Sequence, residues 1–98
     1  MTLTVQGIDW DSGNQAKCQK HGVSLTEIEA LLCSNPAIAP DPGHSRDEQR
    51  YIAVGRNDDG RAIFVAFTFR KKDGRRLIRP VSARYMHRKE AEKYDKKS

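Results

Sequence analysis

Three strand-forming runs, separated by two short polar turns, constrain this chain more than any other feature. Tyr51-Ile52-Ala53-Val54-Gly55 is followed by Asn57-Asp58-Asp59-Gly60. Ala62 to Phe69 is followed by Lys71-Lys72-Asp73-Gly74, and Leu77 to Arg84 comes last. β-branched and aromatic side chains crowd the runs, while Asn, Asp and Gly fill the gaps, as a reversing chain requires. Connections this short join antiparallel neighbours, so the spacing predicts a meander. Ala62 to Phe69 is apolar at nearly every position, which predicts a central strand covered on both faces. Pro80 has no N–H to give to a ladder, so it predicts either an edge-facing position or a bulge in the last strand.

The remaining segments read as follows. Residues 3–10 form a short strand with Leu3, Val5 and Ile8, and Gly7 marks a bulge. Asp11 stands at a helix N-cap position and Gly22 at the matching C′ position. Asn14 to His21 between them is polar, so that helix must lean on its neighbours. Ser24-Leu25-Thr26-Glu27 has the capping-box pattern, with Val23 and Ile28 spaced as a hydrophobic staple. Leu25, Ile28, Leu31 and Leu32 then recur at helical spacing, and Asn35-Pro36 ends the helix. Residues 36–48 carry Pro36, Pro40, Pro42 and Gly43 and read as an irregular loop. Residues 87–95 read as a terminal helix with His87, Ala91 and Tyr94 along one face. The expected order is β-α-α-β-β-β-α, an α+β fold with helices packed against an antiparallel sheet.

With 98 residues the chain is read as a single domain, 1–98. The apolar fraction is only 37%, but it is gathered into the runs above, which argues against wholesale disorder. No run approaches the ~18 apolar residues of a membrane span. Met1-Thr2-Leu3-Thr4 has no basic stretch leading into an apolar one, so no secretory signal is expected. Cys18 and Cys33 cannot build a disulfide framework, and a reducing, cytoplasmic setting is expected.

Charge gives the first hint of function. Residues 1–69 hold nine acidic and six basic side chains, and residues 70–98 hold four acidic and twelve basic ones. An acidic body joined to so basic a segment is an electrostatic footprint for a polyanion such as nucleic acid, or else a solvated, lysine-rich surface. Cys18 and His21 share a helix face and, with Cys33, could be drawn as a zinc site. One C-x-x-H pair arises easily by chance, however, and a structural site needs four convergent ligands. No metal and no cofactor is expected.

Two clusters carry chemistry. In Lys20-His21-Gly22, cations at a helix end offset its dipole by ~0.3–1 kcal/mol each. The same pair also sets an imidazole, which titrates near neutrality, beside an ammonium, a combination suited to proton transfer next to a phosphate. In Ser82-Ala83-Arg84-Tyr85-Met86-His87-Arg88, Arg84 can grip a phosphate with two parallel N–H bonds, Tyr85 can stack on a base, and His87 adds a second imidazole. The structural alternative is an ion pair from Arg84 to Asp9 or Asp11, with Tyr85 and Met86 as packing. Trp10 reads as a core anchor. Arg50, Arg56 and Arg79 flank or occupy strands and would extend a cationic surface if they shared a face.

Asp9-Trp10-Asp11, Lys20-His21-Gly22-Val23-Ser24, Arg50 to Arg56, Phe64-Val65-Ala66-Phe67-Thr68 and Ile78 to Arg84 together resemble the BrnT family of type II toxin–antitoxin toxins. The resemblance runs over residues 8–95. It implies a RelE-like fold and a metal-independent endoribonuclease acting on RNA. It also implies a tight complex with a cognate antitoxin, leaves room for a dimer within that complex, and gives contact with operator DNA to the antitoxin alone. On this reading Lys20, His21, Arg84 and His87 form the catalytic set. Arg56, Arg79, Arg88 and Tyr85 hold the RNA. Two other readings stand beside it: a non-catalytic module that binds RNA or a partner, and a degenerate toxin that only binds its antitoxin.

Overall fold

The computed structural model describes residues 7–34, 36–41, 43 and 48–97. Leu3, Val5, Asn35 and Pro42 fall outside them, as does the side chain of Tyr94, so the expectations placed there are not addressed below. The elements are α1 (Ser12–Gln19), α2 (Leu25–Cys33), β1 (Ala37–Pro40), β2 (Tyr51–Arg56), β3 (Ala62–Lys72), β4 (Arg75–Tyr85) and α3 (Arg88–Lys97). The strands form one antiparallel sheet in the order β1-β2-β3-β4, so the expected meander and the α+β class hold. Among the described residues no helix is long and apolar enough to cross a membrane.

Alternation along β3 sorts the core. Ile63, Val65 and Phe67 point to one face and join Ala53, Ile78 and Ala83 beneath Ile28, Leu31 and Leu32 of α2 and Cys18 of α1. Ala62 belongs to a smaller cluster with Met86 and Ala91, against which Val54 and Phe64 pack, so α3 covers part of the opposite face. β3 is thus the covered central strand its apolar run predicts. Phe67 is 0% exposed and stacks on Tyr51 at 5.7 Å.

Both helix starts obey local rules. Ser24 Oγ accepts from the Glu27 N–H, and the Glu27 carboxylate accepts from the Ser24 N–H. Val23 and Ile28 are both buried, as the staple requires. Asp11 caps α1 in a second box closed by Asn14. α1 ends sooner than Gly22 suggests: Lys20 is the C-cap, and Gly22 takes the positive φ of 90° two residues later.

Two expectations need correction, and a third, the strand over residues 3–10, lies partly outside the described residues. Part of the 36–48 segment, read as an irregular loop, is β1, which pairs with β2 from Ala37↔Val54 to Pro40↔Tyr51. A four-residue edge strand tolerates a terminal proline because its outer side needs no ladder partner, and Ile38 earns its place by packing on the core. In the N-terminal strand, the described part contributes a single parallel bridge, Ile8↔Ile78, beside β4. His87 precedes α3 instead of lying on it, and its backbone N–H is capped by Glu90 at 3.1 Å.

Pro80 sits on β4, the edge strand, at a register shift: Phe67 pairs with Pro80 and Ala66 with Ser82, leaving Val81 as the extra residue. A bulge inverts the alternation beyond it. Arg79 and Arg84 are an odd number of positions apart, yet they oppose Thr68 and Phe64, which share a face. The bulge therefore gathers Arg79, Ser82 and Arg84 on one side of the sheet.

Candidate functional site

α1 is a weak helix by composition, and its placement depends on Asn14. That side chain is 4% exposed. Its Nδ2 donates to the carbonyls of Asp9 and Pro80, each at 2.9 Å, while its Oδ1 accepts from the Asp11 N–H at 2.7 Å. One amide thus ties the start of α1 to the bulged part of β4. Cys18 turns into the core, and burial pushes its thiol up to about 11, so it is a packing residue and not a nucleophile.

With α1 docked this way, Lys17, Lys20 and His21 line a hollow of about 550 Å³ together with Gly13, Arg50, Arg79 and Ser82. Lys17 lies in the last turn of α1, Lys20 is its C-cap and His21 follows in the turn, so the end of the helix brings all three to one space. Arg50 enters from the start of β2, and Arg79 and Ser82 from either side of the bulge. Arg79 is fixed by two carboxylates, with Nη1 to Asp9 at 3.3 Å and Nη2 to Asp11 at 2.7 Å. Asp9 is 7% exposed and also accepts from Lys72 Nζ at 2.8 Å. That hydrogen bond from Lys72, with Arg79 adding to it, holds the Asp9 carboxyl below its ordinary range. Asp11 in turn raises the Arg79 guanidinium further above its ordinary value. The arrangement presents ammonium and guanidinium groups and one imidazole around a space large enough for a phosphate and its neighbouring sugars. Among the described residues no three His, Cys, Asp or Glu side chains gather as metal ligands.

The expected site residues divide. Lys20, His21 and Arg79 meet at the hollow. Arg84 does not line it. Its two Nη groups bind Glu90 at 2.9 and 3.0 Å, and its guanidinium lies 4.7 Å from the centre of the Phe64 ring. Arg84 therefore pairs with a carboxylate, as the structural alternative has it, but the partner is Glu90. The Asp9 and Asp11 pairing belongs to Arg79. His87 is exposed beyond β4, and Arg88, 94% exposed, reaches Glu92 at 3.5 Å.

Tyr85 sits opposite Ile63 and packs against the main core, on the other face of the sheet from Arg84. Its hydroxyl donates to Glu27 at 2.9 Å, and Arg61 covers its ring at 3.8 Å. The Asn57 amide, with Ser24 and Tyr85, holds the Glu27 carboxyl down at about 2. Arg56 donates to the Gly60 carbonyl and lines a second hollow with Glu27, Asp58 and Asp59. Reasoning from sequence overlooked Lys17 and Ser82 as site residues. The helical spacing of Lys17 with Lys20 and His21 was the available signal.

No protein of curated function is significantly similar to the chain. The family model for the ribonuclease toxin BrnT of type II toxin–antitoxin systems matches residues 10–90. That span begins at Trp10, ends at Glu90 and contains every residue of the cationic hollow. A toxin of this kind has a cognate antitoxin as its partner. The chain belongs to the BrnT family of ribonuclease toxins.

Proposed function

We propose that the cationic hollow is an endoribonuclease centre that cuts RNA through the substrate's own 2′-hydroxyl, with no metal. One observation carries this reading: Lys17, Lys20 and His21 converge on Arg50 and Arg79 around a single space. The 2′-oxygen attacks the adjacent phosphorus and the P–O5′ bond breaks. A proton leaves the 2′-hydroxyl and another reaches the departing 5′-oxygen, giving a 2′,3′-cyclic phosphate and a 5′-hydroxyl end. RNA supplies the nucleophile, so the protein needs only proton transfer and charge stabilisation.

His21 moves the proton, because imidazole is the side chain that both gives and takes one near neutral pH. Lys20, with Lys17 and Arg50, offsets the extra negative charge of the phosphorane. Arg79, clamped by Asp9 and Asp11, presents a fixed guanidinium that loses little freedom when the phosphate arrives. Arg84 shares the sheet face of Arg79 and Ser82 and serves as a flanking backbone contact. His87, Arg56, Arg88 and Tyr85 take no part in bond breaking. The open antiparallel sheet, with α2 on one face and α3 on the other, supports a RelE-like reading of the fold. The cognate antitoxin silences the protein by laying an acidic segment over the same cations, and it alone contacts operator DNA.

Site variants test the assignment. Lys20→Ala and His21→Ala are expected to lower cleavage by roughly a hundredfold to ten-thousandfold without changing the circular dichroism spectrum. Arg84→Ala is expected to stay within about tenfold of the parent. Wild-type rates in both hollow variants would move the centre elsewhere.

A further inference from the structure

We infer that the tip of the β3–β4 hairpin, from Arg70 to Arg76, is a second RNA-binding element, an arm that holds structured RNA by its phosphates while the hollow acts on it. That RNA is the ligand rests on the ribonuclease reading above; the arm itself rests on separate observations. The last partner of β2 on β3 is Phe67, opposite Tyr51, whereas the β3–β4 ladder runs on to Lys72↔Arg75. Every residue from Arg70 to Arg76 is exposed, and five of the seven are Lys or Arg.

The register is the telling feature. Lys71 stands opposite Arg76 and Lys72 opposite Arg75. Like charges directly across a ladder destabilise it, so a hairpin end selected for stability would mix the signs. Partners in an antiparallel pair share a face, and successive pairs alternate. The ribbon thus carries one cationic pair on each side. An acidic peptide laid on the ribbon would meet one side only. In a nucleic-acid groove phosphates flank a two-stranded ribbon on both sides, and an RNA stem opened by a bulge offers such a groove.

Several of these cations are held in place. Arg76 lies over the Phe69 ring at 4.0 Å, Arg70 binds Glu48 at 2.8 Å, and Lys72 binds Asp9 at 2.8 Å. Asp9 is also a clamp on Arg79, so the arm and the hollow join through one carboxylate. RNA seated on the arm is led towards the hollow.

The test uses the whole chain and the double variant K71T/R75T, which removes one member of each like-charge pair. Binding to a bulged RNA hairpin carrying 2′-O-methyl groups throughout is followed by fluorescence anisotropy across a salt series. This RNA has no free 2′-hydroxyl, so binding is read apart from cleavage. A polyglutamate peptide is the second probe, and circular dichroism checks the fold. The variant is expected to bind the RNA about tenfold more weakly at low salt, with a salt slope shallower by about two. Equal affinity and slope in the two proteins overturns the arm, as does failure of the parent to bind. A loss confined to polyglutamate also overturns it, assigning the tip to an acidic protein partner. Normal RNA binding by K71T/R75T leaves the hollow intact, and unimpaired cleavage by His21→Ala leaves the arm intact, so the two readings fail separately.

Discussion

At the scale of single residues, Asn14 carries more than its size suggests. It closes the α1 capping box and satisfies two buried carbonyls, one from Asp9 and one from Pro80. Asn14→Ala leaves both carbonyls without this donor, and urea titration is expected to show a loss of about 2 kcal/mol. Cleavage should fall with it, because the C-terminal end of α1 positions Lys20 and His21. Glu27 makes a second residue-scale prediction. Its folded carboxyl lies at about 2 against an ordinary 4.5, so its contribution to stability is complete above about 4.5 and is lost as pH falls towards 2. Glu90, held by Arg84, behaves alike at about 2. Stability is therefore expected to be level from neutrality down to the mid-fours and then to drop, with Glu27→Gln flattening part of the drop. An unchanged acid limb in that variant would contradict the assignment. The Ser24–Glu27 box was legible in sequence because its partners are three residues apart. The bond from Tyr85 to Glu27 spans 58 positions, and nothing local announces it. A tyrosine beside a basic cluster therefore read as a base-stacking group.

At the scale of elements, the meander was legible because its turns are short and their residues specific. The second turn shows why: Asp73 and Gly74 both take positive φ, 51° and 76°, as a tight hairpin of this hand requires. Gly74→Ala meets no steric neighbour, so its whole cost is backbone strain of about 1 kcal/mol, readable as a lowered thermal midpoint. β1 was not legible, because one proline precedes it, another ends it, and its pairing lies on a strand eleven residues further along. The sharing of one face by Arg79 and Arg84 was hidden for a related reason. Pro80 pointed to a bulge or an edge, but that the two arginines share a face depends on the parity across Val81, and which of them meets α1 depends on the docking of a helix too polar to signal its own position. Lys20 and His21 could be read as a pair; their meeting with Arg79 rather than Arg84 is a tertiary fact.

At the scale of the whole molecule, cations concentrate on the α1 end, the bulged part of β4 and the hairpin tip, while Glu27, Asp58 and Asp59 line a separate hollow by α2. A surface divided this way steers a polyanion to one side. Expression of the toxin alone is expected to arrest growth, and co-expression of its antitoxin to relieve the arrest; a degenerate toxin would cause none. The central claim is that the hollow cuts RNA by engaging its 2′-hydroxyl. The most direct measurement incubates the purified protein in EDTA with an RNA that it cleaves, alongside the same RNA bearing a single 2′-deoxynucleotide at the cut. The account predicts continued cleavage of the first, with 2′,3′-cyclic phosphate ends, and none at the substituted position of the second. Loss of cleavage in EDTA, or scission at the deoxy position, would contradict it.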